Sequence, residues 1–398
     1  MKLQVRLNKL TLAALALFGT GLVTGPSYAV ETSRVGINPI NVTERDGDQD
    51  GDSESARVTG AVYTMSNAVD GNAVLVFQRA ANGSLSPSQS YPTGGFGTGG
   101  GLGNGHGLVL SKDKRWLLAV NAGSNDITVF AVSRNGLRRT ATVPIGGIRP
   151  VSVTVDDDLV YALNAGSDNI AGFQLGERGQ LKALENSNRP LSGTGTGPAE
   201  ISFSPDGRNL VVTEKATNLL DVFPVDSDGL PSQLANVVAS AGPTPFGFAF
   251  AGRNELLVAN AAGGPGGSSV STYRLARNGI LTVLDGNVPT YQTASCWIEV
   301  APNQRFAYTA NTPSFSITGF QVDRKGGLTL LNANGVTASP GNGSRPIDLA
   351  FSQDGRFLYS LNIGNQTISA FQVNGQGALT SVATISGIPG GANGLAAR

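Results

Sequence analysis

Seven times along the chain, an aromatic residue that closes an alternating apolar run is followed six positions later by glycine. The aromatics are Phe77, Phe130, Phe173, Phe223, Tyr273, Phe320 and Phe371, and their glycines are Gly83, Gly136, Gly179, Gly229, Gly279, Gly326 and Gly377. Successive aromatics stand 53, 43, 50, 50, 47 and 51 residues apart, the length range of one four-stranded blade. The expected fold is therefore all-β, a seven-bladed β-propeller of four-stranded antiparallel blades, and function is sought at the mouth of its central channel. A β-sandwich does not account for seven units of one design.

Residues 198–240 show how one unit is built. Ile201 and Phe203 alternate with polar neighbours as an inner strand, and Ser204-Pro205-Asp206-Gly207 supplies a tight turn. Leu210 to Glu214, Leu219 to Val225 and Gln233 to Ala239 follow as the second, third and fourth strands. The first unit, from Gly60, starts at what is a second strand elsewhere, whereas Ala392 to Arg398 reads as an inner strand with nothing after it. The simplest completion puts the C-terminal strand into the N-terminal blade, which closes the ring and makes the strand count whole.

The chain of 398 residues has 40% hydrophobic and only 14% charged residues, with 54 glycines and 20 prolines, which suits one large turn-rich β domain over residues 58–398. Residues 1–29 read as a secretory signal: Lys2, Arg6 and Lys9, an apolar stretch from Leu10 to Val23, and small residues Ser27 and Ala29 before a cut at Val30. The alternative of a membrane anchor is disfavoured because Thr11, Gly19, Thr20 and Gly21 interrupt the run. Export to the periplasm or beyond, without stable membrane insertion after signal removal, is the expectation. The lone Cys296, inside an apolar run, fits an exported protein without an internal disulfide. Residues 30–57 read as an acidic, disordered linker; Asp46 to Gly51 matches the opening of a calcium loop, but Arg57 stands where a bidentate Glu belongs. Removing the three basic signal residues from a chain with 28 basic and 28 acidic residues leaves the mature protein at about −3, which argues against nucleic acid as a partner.

Strand direction brings the starts of inner strands and the ends of second strands to one face. The side chains expected there are His106, Arg149, Glu200, Glu214, Trp297, Arg345 and Asp348, with Asn121 and Asn164 among the amides that end second strands. These make a polar, convergent site of the kind small ligands occupy. His106 is the only histidine and is a candidate acid or base; without a second imidazole or an HxxE partner it is a poor zinc ligand. The glycine run GFGTGGGLGNGHG around it lacks the Lys-Ser/Thr of a phosphate loop and leads into a strand, so it reads as a flexible loop over the mouth. Arg149 and Arg345, each before a proline, suit a substrate carboxylate or developing oxyanion, or else bridges between blades. No Gly-x-Ser-x-Gly elbow occurs and no cofactor is implied; a monomer acting on a small molecule is expected.

The unit FSPDGR-x-L-x-V, a strand ending in Asn or Glu, and the following VFxV-type strand resemble the seven-bladed lactonase family, which includes 6-phosphogluconolactonases and carboxymuconate-lactonising enzymes. The resemblance covers residues 59–398. In catalytic members of that family one blade opens Gly-Pro-Arg-His and its second strand ends in Glu. Here the corresponding residues are Gly197-Pro198-Ala199-Glu200 and Glu214, so the glutamate matches while Arg and His do not. The resemblance implies an exported lactonase-like enzyme that hydrolyses or forms a lactone of a small carboxylated or sugar-derived substrate, with Glu214 as acid or base. Lacking its arginine neighbour, Glu214 is expected to pair with Arg149 or Arg345 or to have a raised pKa. The alternative is a non-catalytic secreted propeller that binds a small ligand or a protein at the same mouth.

Overall fold

In the computed structural model, residues 57–262 and 264–398 are described; the signal, nearly all of the acidic linker and the calcium-loop motif lie outside them. Among the described residues the strands form seven antiparallel sheets, numbered here as blades 1 to 7 in chain order. Blades 2 to 7 each run from an inner to an outer strand in sequence order, and blade 3 splits its outer strand into Leu181–Ala183 and Arg189–Pro190. Blade 1 takes its inner strand from the other end of the chain: Asn393–Ala397 pairs antiparallel with Val58–Met65, Tyr63 opposite Ala396 and Thr64 opposite Leu395. The ring thus closes as the strand count requires.

The tight turns between first and second strands are fixed by side chains. In Ser204-Pro205-Asp206-Gly207 the Ser204 hydroxyl donates to Asp206 (2.7 Å), Asp206 accepts from the Arg208 amide (3.2 Å), and Ser204 Oγ accepts from the Asn209 amide (3.1 Å). The same three bonds recur at Ser111/Asp113 and at Ser352/Asp354. Such local bonds stabilise a turn against continued strand, and they set the register that follows.

The repeated glycine has its explanation at the blade-to-blade contacts. It sits in the turn between third and fourth strands with positive φ, +82° at Gly377, and, except at Gly136, which meets Tyr91, rests on the start of the second strand of the preceding blade. Gly377 lies on Phe306, Gly83 on Phe357 and Gly179 on Trp116. A Cβ at Gly377 would stand 2.6 Å from Phe306 Cδ1, so both conformation and contact exclude other residues. A tyrosine two positions after that ring then donates to the glycine carbonyl: Tyr308 to Gly377 at 2.7 Å, Tyr359 to Gly83 at 3.1 Å. These blades are thereby hooked to their neighbours through one turn, while the buried third-strand aromatics Phe130, Phe223, Phe320 and Phe371 fill the space between sheets.

Candidate functional site

Inner strands wall the channel, and six of them share one irregularity. A β-bulge follows the first residue of Pro150–Asp156, Pro198–Phe203, Pro245–Ala251, Ser295–Val300, Pro346–Phe351 and Asn393–Ala397. Bulges re-aim side chains. Here the bulged positions, among them Ala199, Cys296 and Ile347, pack together as buried apolar residues with Phe246 and Trp297.

That packing fills the mouth on which the sequence reading placed the site. The indole of Trp297 in blade 6 donates from Nε1 to the carbonyl of Asn104, at the entrance of blade 2, at 2.8 Å. The Gly105 amide donates to Ala199 O at 3.0 Å, and Asn393 Nδ2 to Asn104 Oδ1 at 3.0 Å. Trp297, expected to bind substrate, is instead 5.0 Å from the Phe246 ring and part of this plug. The glycine run is anchored across the channel, and Gly105 has no room for a side chain because the Glu200 carboxylate lies against it.

Glu214 does not meet Arg149 or Arg345. It is fully buried, accepts from the Ser192 amide (3.1 Å), the Ser192 hydroxyl (2.6 Å) and the Thr217 hydroxyl (2.5 Å), and adjoins Asp221, which accepts from the same Ser192 amide at 3.0 Å. Burial, and then the neighbouring Glu214, push the Asp221 carboxyl up to about 8, so it stays protonated at neutral pH. Pro198 stands opposite Glu214, and Ala199 is the extra residue of the bulge; an arginine at 199 would enter the apolar plug rather than lie beside the glutamate. Arg149 and Arg345 are exposed on the loop face with φ of +56° and +50°, and neither forms an ion pair with a described carboxylate.

Asn121 and Asn164 also turn into their blades. Asn121 Nδ2 donates to Thr128 at 2.9 Å, as Asn311 does to Thr318 and Asn362 to Ser369, seven residues on in each case. At Asn164 that position is Ala171, and the buried amide has no partner. At Asn121, Asn311 and Asn362 the amide orders its strand end.

What the structure does bring together is His106, Glu200 and Asp348, with Glu299 and Lys114, which the sequence reading did not single out. His106, Glu299 and Lys114 border a cavity of about 400 Å³ open on the tight-turn face, opposite to the plugged mouth, together with Thr154, Ser202 and Gln353; Glu200 and Asp348 are buried and are not part of its lining. His106, 30% exposed, has φ of +52° and its carbonyl accepts from the Val153 amide of blade 3 at 3.0 Å, so its backbone is held in an unusual conformation from the side. Its Nδ1 lies 3.0 Å from Glu200 Oε1 and its Nε2 3.7 Å from Glu299 Oε1. Glu200 Oε2 in turn accepts from the Phe248 amide at 3.2 Å.

Burial alone would lower the basicity of the ring, but the carboxylates of Glu200 and Glu299 outweigh it and raise His106 well above the ordinary imidazole range. Burial also raises Glu200, and raises Asp348 well above the carboxylate range with Glu299 adding to it. Burial lowers the Lys114 ammonium at the rim. Glu299 follows Trp297 by two on the same strand, so extending the period-2 alternation inward would have found it. Among the described residues no group of three or more His, Cys, Asp or Glu is arranged to hold a metal ion.

A family described as Lactonase, 7-bladed beta-propeller, matches residues 63–190 and 316–397, over half of the chain. The unmatched stretch between them carries Glu200, Glu214, Trp297 and Glu299. The 6-phosphogluconolactonase of Buchnera aphidicola subsp. Schizaphis graminum (strain Sg) is 25% identical over 265 residues, 64% of this chain and 76% of that protein. The 6-phosphogluconolactonase of Yersinia pestis (strain Pestoides F) is 30% identical over 190 residues, 45% of this chain and 55% of that one. Among solved structures, a 6-phosphogluconolactonase-like protein from Bacteroides fragilis NCTC 9343 superposes with a TM-score of 0.66 at 18% identity, covering 88% of this chain and all of the other. The periplasmic gluconolactonase of Pseudomonas aeruginosa does so at 0.64 and 16%, covering 83% and 97%. These two similarities speak to the fold, and the family match decides membership: the chain belongs to the seven-bladed β-propeller lactonase family.

Proposed function

We propose that this protein is an exported lactonase that hydrolyses the ring of a small carboxylated or sugar-derived lactone in the channel cavity. The single observation that carries the reading is the imidazole of His106, aligned by a buried glutamate at 3.0 Å and bordering a cavity large enough for such a substrate. Water attacks the carbonyl carbon while the Glu299 carboxylate takes its proton. The ring C–O bond then breaks, and the His106 imidazolium protonates the departing oxygen, leaving a hydroxycarboxylate. Glu200 keeps the imidazole oriented and charged. Lys114 at the rim stabilises negative charge that develops on the carbonyl oxygen.

Glu214 has no part in these steps; it ties residues 192 and 217 to the blade. Purified mature protein offered a panel of small lactones tests the reading. Turnover of at least one, with release of a proton per ring opened, is the expected result. Saturable binding without turnover would make the protein a binding module instead.

A further inference from the structure

Of the residues that line the channel cavity, only His106, Lys114 and Glu299 can ionise. Glu299 faces both cations. Its Oε1 lies 3.7 Å from His106 Nε2, and burial lowers the Lys114 ammonium, which the nearby Glu299 and Asp113 carboxylates partly offset. Behind the lining, Glu200 lies 3.0 Å from His106 Nδ1. On the same turn as Lys114 the neighbouring cations are already paired, Lys112 with Asp156 and Arg115 with Asp113 at 3.8 Å. The positive charges of His106 and Lys114 are thus matched by the negative charges of Glu200 and Glu299, with no surplus left for a ligand.

The rest of the lining is neutral. Thr154 Oγ1 accepts from the Phe203 amide at 3.2 Å and keeps its proton for a ligand, whereas Ser202 Oγ donates to the Phe203 carbonyl at 3.3 Å and keeps its lone pairs. Val109, Val155, Val300 and Ala350 supply apolar wall. A ligand hydroxyl therefore finds a donor and an acceptor. An anionic group brought into the cavity loses water, meets Glu299 and finds no unmatched cation.

We propose that the channel cavity selects a hydroxylated lactone that carries no charged group, and that Glu299 is the residue that turns anionic lactones away. The proposal rests on the reading of this cavity as the lactone site, and narrows its substrates to uncharged, sugar-derived ones. Selectivity of this kind comes from a repulsive element as much as from attractive contacts.

The test is calorimetric titration of the protein at neutral pH with D-gluconolactam, an uncharged ring that water does not open, and with its 6-phosphate, which adds about −1.5 to −2 of charge. Binding of the uncharged lactam is expected, with the phosphate weaker by about tenfold or more. Glu299→Gln should narrow that gap by about tenfold, and Gln353→Lys, which puts an unmatched cation in the lining, should narrow it as well; melting temperatures show that both variants fold. Added salt screens charge but not shape, so it too should narrow the gap. Equal or tighter binding of the phosphate, a gap that Glu299→Gln leaves untouched, or binding of neither lactam would overturn the proposal. Turnover is followed separately with D-gluconolactone. Preferential binding of the uncharged lactam without turnover of the lactone would remove the lactonase reading while the selectivity stands, and turnover with tighter phosphate binding would do the reverse.

Discussion

The hydroxyl of Tyr359 in the last blade donates to the carbonyl of Gly83 in the first at 3.1 Å, across 276 residues of sequence. The same hook joins Tyr308 to Gly377 at 2.7 Å, where the glycine also lies on Phe306 with φ of +82°. Gly377→Ala should therefore lose about 2–4 kcal/mol, combining an unfavourable backbone conformation with a clash in a packed contact. Gly375→Ala, in the same turn but with open space and no positive φ, should stay within about 0.5 kcal/mol of the parent. Chemical denaturation of the two variants makes the comparison, and equal stability would separate the repeat glycine from blade docking.

Ring closure is a second quantitative test. Deleting Asn393 to Arg398 removes the inner strand of blade 1, together with the bonds of Arg398 O to the Ala61 amide (3.2 Å) and to Arg79 Nε (3.2 Å). Several buried side chains and a ladder of hydrogen bonds go with it, so a loss of about 3–5 kcal/mol or more is expected. A deletion variant that melts like the parent would contradict the closed ring.

The Glu214–Asp221 pair makes stability depend on pH in a defined direction. Asp221 titrates at about 8 in the folded chain, well above its unfolded value, so between those two points the folded chain holds a proton that the unfolded chain has released. Its contribution is full in acid and is lost as pH rises toward and through 8. Asp221→Asn keeps a donor toward Glu214 without a proton to lose. Its melting temperature relative to the parent should therefore rise from pH 5 to about pH 8 and level off above it, and a constant difference would show that Asp221 does not titrate in that range.

Much of this fold was legible in the sequence because propeller blades are local. Period-2 alternation and Ser-x-Asp-Gly turns locate strands within a blade, and the spare strand at 393–397 shows where the ring closes. The packing of the channel was not legible, since it joins residues such as Asn104 and Trp297 that are 193 positions apart and whose meeting depends on bulges at strand starts. The reading stopped at those starts, and so it included His106, Glu200 and Asp348 but missed Glu299, two residues deeper. Asn121 was open to correction from sequence alone: a hydroxyl residue seven positions on, Thr128, marks an amide satisfied inside its blade.

Glu200 is assigned the role of keeping His106 charged, which a pH–rate profile reads directly. If the imidazolium is the proton donor, activity falls as pH rises through the His106 pKa, which Glu200 and Glu299 hold well above the ordinary range. Glu200→Gln removes the nearer carboxylate, so the alkaline limb should move to lower pH while activity in acid is retained. An unmoved limb would show that Glu200 only packs the site.

The most direct measurement is lactone turnover by His106→Asn, with melting temperature and substrate binding followed alongside. Asn keeps a polar group at the ring position next to Glu200 and cannot deliver a proton to the departing oxygen. The account predicts a fall in kcat by about a hundredfold or more, with KM and melting temperature close to the parent and with Glu214→Gln retaining most of the activity. Unchanged kcat in His106→Asn, or loss of turnover in Glu214→Gln at unchanged stability, would contradict the placement of the chemistry in the channel cavity.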